Sequence, residues 1–256
     1  MSGLVRIRGL VLREVAVGEA DRILTILSAD QGRFSASAKG ARRQNSRLVS
    51  ATEVLSLCDF SLFGKNGRFT VDGAERIEAF TAVKEDLVRL TCAAHVAELV
   101  LDAVREGEPA PDVYRLVLRT LHAMTLPERD PLLAARVFEF RLMARIGYAP
   151  SLTKCMVCGE PPPEGVPLRF SFSRCGVVCG KETCLRQSGE FLEIRPGTLN
   201  CLRHIVSAPE EALFSFALDP AVLKELSTVS SRYVRERMER DYTRLSLIAE
   251  WDADSL

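Results

Sequence analysis

The chain has 256 residues, 47% of them hydrophobic, which suits one large domain or two to three small ones and excludes a mainly disordered protein. Thirty-four Lys and Arg balance thirty-four Asp and Glu, so any pull on a polyanion must come from uneven placement of charge. No run approaches the roughly eighteen apolar residues of a membrane span. The N-terminus, Met1-Ser2-Gly3-Leu4-Val5-Arg6-Ile7-Arg8, has cations where a signal peptide needs its apolar segment, which predicts a cytoplasmic protein with no membrane contact.

Residues 4–12 read as a first strand, with Val5, Ile7 and Val11 on one face and Arg6 and Arg8 on the other. The apolar run Ile23–Leu27 predicts a second. After a turn at Asp30-Gln31-Gly32, strict alternation places Phe34, Ala36 and Ala38 on one face of a third, opposite Ser35, Ser37 and Lys39. Gly40 then releases the chain into a loop with Arg42, Arg43 and Arg47. Between Gln31 and Thr52 the cations Arg33, Lys39, Arg42, Arg43 and Arg47 meet no acidic residue, a pattern suited to a phosphate backbone. Glu53–Phe63 and Arg68–Ala74 read as two more strands, joined by Gly64-Lys65-Asn66-Gly67, whose Asn-Gly is a hairpin signal. Five short strands before residue 80 predict a small β-barrel. Of the aromatics there, Phe63 and Phe69 are suited to stacking bases, and Phe34, on the alanine face, reads as core.

From Thr81 the period becomes helical. Leu87, Leu90, Ala94, Ala97, Leu101 and Val104 mark a core-facing stripe, and residues 81–112 carry seven acidic residues against three basic ones. Asp112 is placed to cap a second helix, and Asp130-Pro131 opens a third that Gly147 and Pro150 close. Beyond a cysteine cluster, Thr198–Val206 and Pro209–Phe216 read as short helices. Asp219-Pro220 opens a long last helix, whose stripe is Leu223, Leu226, Tyr233, Val234, Leu245 and Ile248. Arg232/Glu236 and Arg235/Glu239 are spaced to pair on its outside.

The cluster holds Cys155, Cys158, Cys175, Cys179 and Cys184. Two knuckles of this spacing supply four thiolates for a tetrahedral Zn²⁺, structural because no position remains for water. Both C-x2-C-x20-C-x4-C (Cys155, Cys158, Cys179, Cys184) and C-x2-C-x16-C-x3-C (Cys155, Cys158, Cys175, Cys179) are open on spacing alone. Cys58, Cys92 and Cys201 stand singly in apolar contexts and read as core. The His-x-Glu and Pro-Cys-x-x-Cys pair of zinc deaminases is missing. His95, His122 and His204 have no triad setting, so no catalytic site is expected.

The string from Gly18-Glu19-Ala20-Asp21-Arg22 to Lys39-Gly40-Ala41-Arg42-Arg43-Gln44-Asn45-Ser46-Arg47 closely resembles the N-terminal signature of the RecO family of bacterial DNA repair and recombination mediators. That signature is G-E-x-D-R, an apolar strand, a turn with Gly, a second strand, then K-G-x-R-R-x-x-S-R. The resemblance runs the length of the chain. It implies an α+β protein: an N-terminal OB-fold barrel at 1–80, an all-α domain at 81–150 completed at 191–256, and a four-cysteine zinc knuckle inserted at 151–190.

The family's second cysteine half, F-S-x-x-x-G-G-x-x-C-x-x-C, set on Phe172-Ser173 and Gly176-Val177-Val178-Cys179, puts Cys175 at the first glycine. This favours Cys155, Cys158, Cys179 and Cys184 as ligands, although four residues here precede the last cysteine where the family has two. The resemblance implies binding of single- and double-stranded DNA, annealing of complementary strands, and loading of RecA onto strands coated by single-strand binding protein. RecR, and in many bacteria RecF, are the implied partners, in the cytoplasm with the nucleoid. Lys39, Arg42, Arg43 and Arg47, with Arg33 behind them, are the expected DNA contacts, while Arg22, beside Asp21, is placed for an ion pair. Two rival readings fit the same residues: a zinc-ribbon transcription or RNA-binding factor without annealing activity, and a scaffold whose basic loop grips the acidic tail of single-strand binding protein.

Overall fold

Residues Gly3–Val17 form one long strand, β1, and its change of partner halfway along generates the N-terminal fold. The structure, a computed structural model, describes residues 3–65, 68–162 and 168–248. The following strands are β2 (Asp21–Ser28), β3 (Gly32–Ala38), β4 (Leu57–Lys65) and β5 (Arg68–Glu78). β1 pairs with β4 from Gly3↔Gly64 to Leu10↔Leu57, then with β2 from Leu10↔Leu27 to Val17↔Asp21. β3 closes on β5 in parallel through Ala36↔Phe69 and Ser37↔Thr70. The result is a closed barrel in the order β1-β2-β3-β5-β4, the expected OB-like arrangement. At the crossover a Cβ on Gly9 would stand 2.3 Å from Ile26 Cγ2, so only glycine lets the strands meet. A bulge between Val11 and Arg13 breaks the alternation there and buries Leu10, Val11 and Leu12 together.

The barrel interior holds Val11, Leu24, Ile26, Phe34, Ala36, Ala38, Phe60 and Leu62. Phe34 is 3% exposed, as its place on the alanine face predicts. The strand expected from Glu53 begins only at Leu57, because a 3-10 turn at Ser50–Thr52 and a left-handed Leu55 (φ 63°) occupy the intervening chain. β4 and β5 pair as far as Lys65↔Arg68; Asn66 and Gly67, the expected turn pair, lie outside the described residues.

Three helices follow: α1 (Thr81–Lys84), α2 (Leu87–Ala103) and α3 (Pro111–Thr125). Asp86 caps α2 by accepting from Arg89 N at 2.8 Å. The stripe expected on α2 is only partly its buried face: Ala97 and Val104 are buried, but Leu87 is 62% exposed and Leu90, Ala94 and Leu101 are half-buried, while Cys92, Ala93, Val96, Leu99 and Val100, outside the stripe, are buried. Such a helix, apolar on most sides and packed against α1, α3 and β1 at once, has no single stripe to read. Asp112 sits inside the first turn of α3, ion-paired with Arg115, rather than at its cap.

The chain divides into two compact units, Met1–Thr125 and Leu126–Leu256, a boundary that falls within the 81–150 helical segment. The second unit contains α4 (Pro131–Arg145), β6 (Leu168–Ser171), β7 (Gly176–Val178), α5 (Glu182–Leu185), β8 (Phe191–Ile194), α6 (Pro196–Ser207) and α7 (Pro220–Met238). Asp130 caps α4 through Leu132 N (2.8 Å) and Leu133 N (3.3 Å), as its pairing with Pro131 predicts. Phe140 stacks on Tyr233 at 5.5 Å, and Phe170 meets both edge-on. The three buried charged side chains of α4 have partners. Arg136 pairs with Glu139 at 2.9 Å, and Arg141 donates to the carbonyls of Ile205 (2.9 Å) and Ala208 (2.8 Å) at the end of α6.

Several expectations change in this unit. A three-stranded sheet, β7-β6-β8, was not expected: β6 and β7 lie within the 151–190 zinc insertion and β8 opens the 191–256 part expected to be helical, all three strands being too short for periodicity to register. Pro209–Phe216 forms turns rather than a helix. α7 stops at Met238 with Glu239 left-handed (φ 52°), so the buried Leu245 and Ile248 lie beyond it. Arg232 pairs with Glu236 at 2.9 Å as expected, whereas Arg235 reaches Asp241 at 3.8 Å instead of Glu239.

Candidate nucleic-acid interface and metal centre

The two halves of the Gly18–Arg47 string meet at one end of the barrel. Gly40, left-handed at φ 66°, turns the chain out of β3, and its N–H donates to Asp21 Oδ1 at 2.7 Å. Arg42 N donates to Ala20 O at 2.9 Å, and Arg42 Nη1 to Gly18 O at 3.1 Å and Glu19 O at 3.4 Å. Arg22 reaches Glu14 at 2.9 Å and Thr52 Oγ1 at 2.8 Å, tying down the far end of the loop. Its ion pair is therefore with Glu14 and not with the adjacent Asp21, whose carboxylate is engaged by Gly40.

Lys39, Arg42, Arg43 and Arg47 are exposed on this anchored loop, and none has an ion-pair partner among the described residues. Arg33 is not with them. It lies near the opposite end of β3, half-buried, with Nε donating to Val104 O at 3.0 Å, and six strand steps from Lys39 amount to about 20 Å. Phe63 is 46% exposed and half-buried Phe69 packs edge-on against Phe34 at 5.3 Å, so of the described phenylalanines in the barrel strands these two present aromatic surface. The Asp21–Gly40 lock escaped the sequence reading. Its signal was the occurrence of G-E-x-D-R and K-G-x-R-R in one string.

In the second unit, Cys155 and Cys158 flank a tight turn that Gly159 closes with φ 77°, Cys179 follows β7, and Cys184 lies on α5. Their four Sγ atoms all lie within 4.8 Å of one another, and those of Cys158 and Cys179 are 3.8 Å apart. A tetrahedron of thiolates with metal–sulfur bonds of about 2.3 Å has edges of about 3.8 Å, so the set fits a metal ion with no open position. Cys155 Sγ accepts N–H groups from Cys179 (3.3 Å) and Val157 (3.5 Å). Burial pushes the Cys155 thiol up, but these donors together with the Cys158 N–H outweigh it and bring it down to about 6. Burial, then its contacts with the other three sulfurs, pushes the Cys184 thiol up to about 12.

Cys175 stands outside the cluster, its Sγ 3.1 Å from Arg237 Nη1. Its backbone is left-handed, φ 55°, the conformation that explains a glycine at this position in the family pattern. Of the two spacings open in the sequence, the structure thus gathers C-x2-C-x20-C-x4-C. Cys58, Cys92 and Cys201 are buried singly. His204 Nε2 lies 3.1 Å from Ala212 O, and His122 packs edge-on against Phe80. Among the described residues no helix is long and apolar enough to cross a membrane.

Comparison with known proteins gives a consistent result over nearly the whole chain. The family model described as Recombination protein O N terminal matches residues 1–80, and that described as Recombination protein O C terminal matches residues 84–246. The chain is 42% identical over 244 residues to the DNA repair protein RecO of Acetivibrio thermocellus, covering 95% of this chain and 96% of that protein. It is 34% identical over 247 residues to the RecO of Heliobacterium modesticaldum, covering 96% and 89% respectively. To the RecO of Symbiobacterium thermophilum it is 32% identical over 241 residues, 93% of each chain.

Proposed function

Because the chain belongs to the RecO family of DNA repair proteins, we propose that it binds single- and double-stranded DNA through the loop Lys39–Arg47, anneals complementary strands, and acts with RecR to load RecA onto strands coated by single-strand binding protein. The observation that carries this reading is the loop itself. Four exposed cations without ion-pair partners among the described residues stand on a backbone fixed by Asp21, Arg22 and the carbonyls of the β1–β2 turn. A fixed array of cations engages phosphates without first losing the entropy of ordering. It reads no base edges, so it acts on any sequence.

Annealing needs contacts that form on both strands and release readily. Four phosphate contacts meet that need, because their counterion-driven affinity stays modest at physiological salt. The acidic tail of single-strand binding protein is the competitor this loop would meet, with RecF a further functional partner, in the cytoplasm at the nucleoid. Arg33 would add to DNA binding only where a strand extends along β3. Cys155, Cys158, Cys179 and Cys184 hold Zn²⁺ in a structural role: four thiolates suit that ion, and a closed shell leaves no place for substrate or water.

The test is annealing of two complementary labelled strands precoated with single-strand binding protein, across a salt series. Acceleration that fades with salt, and that is lost with Arg42→Glu and Arg43→Glu together, is the expected result. Strands that bind but do not anneal faster would remove the mediator reading.

A further inference from the structure

Over its first residues β1 has a paired strand on one side only. From Gly3 to Gly9 it pairs with β4, and β2 joins its other side only from Leu10, opposite Leu27. Val11 N donates to Ser56 O at 3.0 Å and Val11 O accepts from Leu55 N at 2.8 Å, so Val11 turns its backbone polar groups toward the β4 side. Along a strand these groups point alternately to the two sides. Val5, Ile7 and Gly9 therefore bond to β4, while Leu4, Arg6 and Arg8 direct theirs to the open side, where no described strand meets them.

A cavity of about 460 Å³ borders this open side, lined by Val5, Ile7 and Phe69 together with Asp30 and Gln31 of the β2–β3 turn. Leu4 and Val5 on the edge itself are 60% and 41% exposed. Bare strand edges invite pairing with other chains, and charged side chains commonly blunt them. Here the blunting is incomplete. Asp59 neutralises Arg8 through two contacts of 2.8 Å, which leaves Arg6 as an exposed cation without an ion-pair partner among the described residues.

We propose that this edge takes a further strand: an extended segment of a partner protein, about five residues long, pairs its backbone with Leu4, Arg6 and Arg8. Side chains of an added strand follow the two faces of the strand it joins. Those beside Val5 and Ile7 enter the cavity and are aliphatic. The one beside Arg6 lies on the opposite face and is a carboxylate, since opposite charges on paired strands attract and like charges repel. One carboxylate suffices, because Arg8 is already neutralised and Asp30 stands at the cavity. Asp30 also disfavours a phosphate chain here. Edge-to-edge pairing of two copies centred on Arg6 would set the two Arg6 side chains against each other, which disfavours a second copy of this chain. The basic loop lies beyond the other end of β1, so a strand added at Leu4–Arg8 leaves it uncovered.

The experiment uses the full chain and a capped peptide, Thr-Val-Glu-Val-Thr, whose order is the same in both directions. Amide hydrogen exchange followed by NMR reads the pairing. In the free chain the Arg6 and Arg8 amides exchange faster than those of Val5 and Ile7. With peptide in excess, Arg6 and Arg8 slow about tenfold while Val5 and Ile7 do not change. Lysine in place of the peptide glutamate weakens binding about threefold to tenfold, and Arg6→Glu inverts that preference at an unchanged thermal midpoint. Arg6→Pro removes an edge N–H but no bond to β4, and weakens binding of the glutamate peptide about tenfold.

Uniform slowing of all four amides, or no slowing at any, would overturn the proposal. So would equal binding of the glutamate and lysine peptides by the wild-type chain. A dimer that Arg6→Pro dissolves would assign the edge to a second copy instead, and displacement of the peptide by oligothymidine would assign it to DNA; either result refutes the partner strand.

Discussion

Replacing Arg43 by alanine isolates one phosphate contact, because among the described residues this side chain makes no hydrogen bond or ion pair and only lies over Gly40, whose Cβ position is 3.5 Å from Arg43 Cδ. On single strands each neutralised phosphate contributes about −0.7 to the slope of log affinity against log salt, so four loop cations give about −2.8 and three give about −2.1. Between about 50 and 200 mM salt the wild-type chain then loses about fifty-fold in affinity and Arg43→Ala only about twenty-fold. The difference of about 0.7 in slope survives any further contacts elsewhere, since those add equally to both proteins. Fluorescence anisotropy of a labelled oligothymidine over a salt series reads it directly. Arg42→Ala is the control with a structural signature. It loses one contact of the same kind, but also frees the carbonyls of Gly18 and Glu19, so its unfolding free energy falls by about 1 kcal/mol. An unchanged slope in Arg43→Ala, at unchanged stability, would refute the assignment of this loop to the phosphate backbone.

Cys158→Ser loses bound metal and destabilises the second unit, whereas Cys175→Ser keeps full metal stoichiometry by elemental analysis, since only the former lies in the cluster. Metal affinity falls as pH falls. Binding must expel the proton that Cys184, pushed up to about 12, still holds at neutral pH, while Cys155 at about 6 is already a thiolate there; titration in two buffers of different ionisation enthalpy reads the proton released. Glu139→Gln strands the buried Arg136 guanidinium and also alters the acceptor of Ser230, which lowers the unfolding free energy by about 3 kcal/mol in urea titration.

Strand periodicity carried the barrel because its faces differ sharply: Phe34, Ala36 and Ala38 point in while Ser35 and Lys39 point out, and one register satisfies all of them. It failed where burial is two-sided. α2 is apolar around most of its circumference, so a stripe through Leu87 and Leu101 was as periodic as the buried set through Cys92, Val96 and Leu99. It failed again at β6, β7 and β8, of four, three and four residues, where two alternations cannot be told from chance. Cap chemistry held where Asp precedes Pro: Asp130-Pro131 and Asp219-Pro220 both mark helix starts whose side chains accept the first free N–H groups, whereas Asp112, which follows Pro111, lies inside its helix. The choice between Cys175 and Cys184 needed three dimensions. Spacing counts residues, and only the backbone shows that residue 175 turns left-handed and carries its sulfur toward Arg237.

The cations of the loop were legible as a count, but what makes them a site is the acidic and glycine part of the same string. Four like charges close together on a polar loop repel one another and would extend it into solvent. Here Asp21 fixes the Gly40 turn, Ala20 O holds the Arg42 backbone, and Arg22 binds Thr52 beyond the loop while balanced by Glu14. The anchors engage two charged residues of the first piece, Asp21 and Arg22. A signature written in two separated pieces thus describes one object, with the first piece as its clamp and the second as the contact surface proposed for DNA. Substitutions in the first piece should therefore weaken DNA binding without lowering the salt slope, since they disorder the array but remove none of its charges. Asp21→Asn is the sharpest case: it keeps an acceptor for Gly40 N–H, so a loss of affinity with an unchanged slope would come from a loosened loop alone.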